Sequence, residues 1–149
     1  MKSEVNEIKI SYCDKLGTFD SASLCDSTHV AKLLYETWNR DTIGLQETFK
    51  VLLLNNSNRV KGTYQISTGG ITGTLVDLRI LFAVILKTLS TAVILVHNHP
   101  SGTLKPSRAD TDLTEKIKNA AVLFDIKVLD HLILVPNGKY FSFSDQGIL

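Results

Sequence analysis

Two histidines flank one asparagine at His97-Asn98-His99, directly after the apolar run Thr91-Ala92-Val93-Ile94-Leu95-Val96. If a strand persists through this tripeptide, residues i and i+2 point to one face, about 6–7 Å apart along the chain. Two imidazoles so placed suit chelation of a single metal ion, through either ring nitrogen. Pro100 then ends the ladder, because it has no N–H to donate. Asp110 follows eleven residues after His99, in the first turn of a predicted helix. The loop between them is stiffened by Pro100 and Pro106 and can fold back toward the histidines. Two His and one carboxylate make a three-ligand set for zinc, with the fourth position left to water. Asp110 has a second reading, since Ser107-x-x-Asp110 matches a capping box with Ser107 at N-cap and Asp110 at N3. A carboxylate at a helix N-terminus is favoured by the macrodipole, so capping and ligation are compatible.

The elements that must position these groups alternate along the chain. His29–Arg40 has helical spacing, with Val30, Leu33, Leu34 and Trp38 on one face and Ser27 or Thr28 as the cap. Thr48–Leu54 reads as a strand, and Asn55-Asn56-Ser57-Asn58 as the turn into a second strand over Val60–Ser67. Gly69, Gly70 and Gly73 loosen the chain before a helix over Leu75–Leu89. Residues 91–97 suit a strand covered on both faces, and Ser107–Phe124 an amphipathic helix. Two last strands, Lys127–Val135 and Tyr140–Phe143, flank the turn Pro136-Asn137-Gly138. The expected fold is α/β (α+β), a mixed sheet flanked by helices.

Composition narrows the classes. A chain of 149 residues fits one domain, and 44% apolar with 21% charged residues is globular composition. A net charge of +1 gives no overall field for nucleic acid or an acidic membrane. Cys13 and Cys25 are too few for a disulfide framework and read as reduced thiols. The opening MKSEVNEIKI lacks the apolar stretch of a signal peptide, and no run reaches membrane-spanning length, so a cytoplasmic location is expected.

The segment from His97 to Asp110 resembles the metal signature of the JAB/MPN (JAMM) metalloprotease family: His-x-His, seven residues, Ser, two residues, Asp. The wording His97-Asn98-His99-Pro100-Ser101-Gly102 and Pro106-Ser107-Arg108-Ala109-Asp110 is similar to the RadC-like branch. Further similarity runs through Ser67-Thr68-Gly69-Gly70, Asp130-His131 and Phe141-Ser142-Phe143 with Gly147. The resemblance implies a JAB/MPN-like fold, with residues 47–149 as the catalytic core and residues 1–46 as an extension carrying one helix. It also implies a zinc hydrolase of the metallopeptidase or isopeptidase kind, with a peptide or protein as substrate. Zinc would be held by His97, His99 and Asp110. Glu47, in Gln46-Glu47-Thr48-Phe49, matches the upstream glutamate that serves as general base, ahead of its mid-helix competitor Glu36. Ser107 matches the serine that steadies an oxyanion, a role that competes with capping. Asp130-His131 stays outside the ligand set, as a candidate support for it.

Longer members of the branch carry an N-terminal helix-hairpin-helix region. Residues 1–28 show no Gly-rich hairpin pattern, and with so few residues ahead of Glu47 no such region is expected here. That weakens the alternative function, a DNA-repair or mobile-element accessory that keeps the zinc site but acts by binding partners. An HNH nuclease is set aside, because its residues come from separated parts of a ββα unit. A zinc deaminase is set aside because the chain has no H-x-E with P-C-x-x-C.

Overall fold

The computed structural model describes residues 5–13, 24, 26–70 and 73–149. The central strand is Ala92–Asn98, buried at every position, as its unbroken apolar run requires. The elements in order are α1 (Ser27–Thr37), β1 (Thr48–Leu54), β2 (Val60–Thr68), α2 (Leu78–Lys87), β3 (Ala92–Asn98), α3 (Arg108–Val122), β4 (Lys127–Leu134) and β5 (Tyr140–Ser142). They build one five-stranded sheet in the order β2-β1-β3-β4-β5. β3 pairs antiparallel with β1 and parallel with β4, so the sheet is mixed, as expected. The parallel pair needs a crossover, and α3 supplies it.

Apolar side chains fill both faces of the sheet. On one, Val30 and Leu34 of α1 and the following Trp38 pack against Leu52, Ile94 and Leu132. On the other, Leu81 and Ile85 of α2 and Ile117 of α3 pack against Val51 and Val93. Alternation along β3 therefore sends His97 to the α2/α3 face and Asn98 to the α1 face.

Helix ends depart from expectation for identifiable reasons. The α1 cap is Asp26, whose carboxylate accepts from His29 N at 2.9 Å, rather than Ser27 or Thr28. That helix stops at Thr37 because Trp38 is already extended. α2 begins at Leu78 instead of Leu75, since Asp77 caps it through Arg79 N. It ends before Leu89, which takes a left-handed φ of 52°. α3 opens with the expected capping box, Ser107 Oγ accepting from Asp110 N and Asp110 accepting from Ser107 N. Cys13 is an exposed free thiol, and Cys25 lies outside the described residues. No helix among the described residues is long and apolar enough to cross a membrane.

Candidate metal centre

β3 delivers His97 at the end of its buried run, and the turn that follows brings His99 back over it. Gly102 makes that turn at a left-handed φ of 82°, with its N–H donating to His99 O at 3.0 Å. The turn also presents Thr103 O to His99 Nδ1 at 2.7 Å. A carbonyl oxygen only accepts, so Nδ1 carries the proton and His99 Nε2 is left as a lone pair. His97 Nδ1 is engaged by His131 Nε2 at 2.8 Å, which turns His97 Nε2 toward the same point. The two Nε2 atoms face each other at 2.9 Å.

α3 brings the carboxylate. Asp110 Oδ1 lies 3.3 Å from His97 Nε2 and Oδ2 lies 3.4 Å from His99 Nε2. Oδ2 also accepts from Ser107 N at 2.7 Å, so the capping box and the approach to the histidines coexist. Ser107 Oγ spends a lone pair on Asp110 N at 3.1 Å and keeps its O–H free among the described residues. Capping therefore uses the acceptor side of the hydroxyl only, and the expected competition with a donor role does not arise.

Glu47 arrives from the other side, just ahead of β1, with Oε1 4.0 Å from His97 Nε2. Its own backbone is tied to the Gly69-Gly70 turn, Gly69 N donating to Glu47 O at 2.8 Å and Glu47 N to Gly70 O at 3.1 Å. Gly69 is required there, because a Cβ would fall 1.9 Å from Gly73 O. The peptide groups bounding Glu47 are held by Asn98, which accepts from Thr48 N at 2.7 Å and donates to Gln46 O at 2.9 Å. Glu36, the competitor, lies in α1 beside Lys32.

Glu47, His97, His99 and Asp110 thus each offer one ligand atom, all within 4.8 Å of one another. His97 is 2% exposed and the other three 12–13%; Glu47, His99 and Asp110 line a cleft of about 580 Å³, together with Ser107 and Lys105. Burial raises the Glu47 carboxyl above its ordinary range, against the pull of His97 and His99. Burial also pushes Asp110 up, but hydrogen bonding to both histidines outweighs it and holds that carboxyl far below the usual range. At His99 burial favours the neutral ring, yet Asp110 and the Thr103 carbonyl prevail and raise it. Any positive charge between the Nε2 atoms, proton or metal, answers the same lone pairs. Zinc–nitrogen bonds of about 2.0–2.1 Å place two tetrahedral ligands about 3.3 Å apart, so the donor set fits that ion within a few tenths of an ångström.

His131 is fully buried, stacked on Phe143 with ring centres 4.7 Å apart. Burial first, then the neighbouring His97, lowers its pKa well below the ordinary imidazole value and keeps it neutral. The paired motif Asp130-His131 divides in two. His131 turns to the histidines, while Asp130 accepts from Ser142 Oγ at 2.6 Å and from Ser144 N at 2.9 Å, tying β4 to the chain beyond β5. Asn98 and Thr114 escaped the sequence reading. A signal for Asn98 was present, because a polar side chain in a strand buried on both faces must find partners. Thr114 continues the stripe Asp110, Ile117, Ala121 at helical spacing.

The fold and this cluster are those of a JAB-type domain with a candidate metal site. A profile described as "RadC-like JAB domain" matches residues 24–148, and the chain belongs to that family. The match begins ahead of α1. Among curated relatives, a UPF0758 protein of Flavobacterium johnsoniae is 54% identical over 102 residues, which is 68% of this chain and 44% of that protein. One from Porphyromonas gingivalis is 43% identical over 104 residues, 70% of this chain and 46% of its own length. Another from Trichlorobacter lovleyi is 41% identical over 104 residues, with shares of 70% and 45%. The chain spans less than half the length of these relatives.

Proposed function

We propose that this domain is a zinc-dependent hydrolase of the JAMM type, acting on the amide bond of a peptide or isopeptide. The observation that carries the reading is the convergence of His97 Nε2, His99 Nε2 and an Asp110 oxygen, with Glu47 beside them, where Glu47, His99 and Asp110 line an open cleft. Zinc bound by the two histidines and Asp110 supplies a Lewis acid and lowers the pKa of water to about 7. Glu47 has the residual burial and the position for a general base: it takes a proton from the attacking water and returns it to the departing amine. Ser107 lines the cleft and its Oγ only accepts from Asp110 N, so its O–H is available to donate to the carbonyl oxygen as negative charge develops there. Pro100 and Pro106 hold the loop between the ligands in register.

The test is hydrolysis of a library of peptides and Lys-linked isopeptides by the zinc-loaded chain. Glu47→Gln should keep its zinc and lose turnover by at least about a hundredfold. Ser107→Gly retains most of the cap, costing a few tenths of a kcal/mol, and should slow turnover by about 10²–10³-fold. Full activity in Glu47→Gln contradicts the proposed chemistry.

A further inference from the structure

A ring of hydrogen bonds runs behind the metal centre and returns to it. Thr114 Oγ1 donates to Asp110 O at 2.6 Å, one turn back along α3. A hydroxyl has a single proton, and the Asp110 carbonyl can only accept it. The Thr114 oxygen must therefore act as acceptor in its second bond, 2.6 Å from His131 Nδ1. That places the His131 proton on Nδ1. The neutral ring then has only a lone pair on Nε2, the atom facing His97 Nδ1 at 2.8 Å. His97 must donate across that contact, so its own proton sits on Nδ1 and its Nε2 is bare toward His99 and Asp110.

We propose that Thr114 and His131 are positioning residues that fix the metal-binding tautomer of His97. The proposal rests on the zinc reading above and extends it to two residues that touch no metal. Thr114 is 3% exposed and His131 fully buried, so water does not replace either partner. The ring also joins two ligands from different elements, because Asp110 accepts the first bond through its carbonyl and faces His97 through its carboxylate. Outer-shell hydrogen bonds of this kind set ring orientation and ligand basicity, and their loss weakens metal binding by about 10–100-fold.

Chelator-competition titration of zinc into the full chain tests it, together with long-range proton–nitrogen NMR of the zinc-loaded protein. Thr114→Val removes the acceptor at nearly constant shape and should weaken zinc by about 10–100-fold. Thr114→Ser restores the hydroxyl and should bind as the wild type does. Thr111→Val deletes the equivalent back-bond to Ser107 O without touching a histidine, and should also bind as the wild type. The wild-type spectrum should show His131 protonated on Nδ1, a readout that a merely structural threonine would not require. Wild-type affinity in Thr114→Val, or a wild-type His131 protonated on Nε2, overturns the positioning role alone. A wild-type chain that binds no zinc overturns the metal reading itself and the inference with it.

Discussion

Asn98 sits between the two histidines and points the opposite way, and its side-chain amide is satisfied three times over. It accepts from Thr48 N and donates to Ile43 O and Gln46 O, all within 2.9 Å. These bonds hold the segment carrying Glu47 against the end of the strand carrying the histidines, so one side chain links the two parts of the cluster. Asn98→Ala strips partners from one buried N–H and two carbonyls, at about 1–3 kcal/mol for each group left unsatisfied. The expected loss, after relaxation, is about 2–4 kcal/mol in chemical denaturation, and a change within about 0.5 kcal/mol would contradict the account. At this scale the sequence was informative where residue type carries chemistry. His97 and His99 stood out because few structural tasks ask for that pair at the end of a buried strand, whereas Asp110 also read as a cap and Glu47 came only from the family resemblance; the structure brings all four together. Asn98 and Thr114 were not, because Asn and Thr serve many local roles and only the tertiary partner reveals which. Ser107 was half legible: the cap could be read, but not that capping leaves the hydroxyl proton free.

The strands were read to within a residue or so, since continuous apolar runs bounded by Asn, Pro and Gly leave few alternatives. Helix ends were read less well, because caps are set by one side chain each and Ser27, Thr28 and Asp26 all qualify by type. Strand β1 carries the one feature that goes against its surroundings, Lys50, on the face otherwise occupied by Leu52 and Leu54. Its ammonium lies 4.0 Å from the centre of the Trp38 ring, and burial lowers its pKa. A base with a depressed folded pKa burdens the fold when charged. That burden is complete below the depressed value and disappears as pH rises through the ordinary value of 10.5. Lys50→Met keeps the aliphatic cover on Trp38 and removes the charge. It should stabilise the protein at pH 7, by less than about 1 kcal/mol because the ammonium keeps contact with solvent. The gain should shrink toward pH 10.5 in thermal melts followed at several pH values; a gain that grows with pH would contradict it.

The whole molecule places a candidate metal-binding cluster where a mixed sheet, a tight turn and a helix N-terminus meet. β3 brings His97, the Gly102 turn brings His99, α3 brings Asp110, and the stretch before β1 brings Glu47. α1 and α2 cover the two faces of the sheet and so hold β1 and β3 in register. The mixed sheet was legible from the hairpins and the alternation of strands with helices. Its strand order was not, because nothing local to β1 announces that its second neighbour is β3. Family membership and the cluster together support metal binding. The direct measurement is elemental analysis of the purified chain after zinc loading and dialysis. About one zinc per chain is expected, lost in His97→Ala and in Asp110→Ala variants that keep their fold by circular dichroism. A wild-type chain without zinc, or zinc retained when both of those side chains are removed, would contradict it.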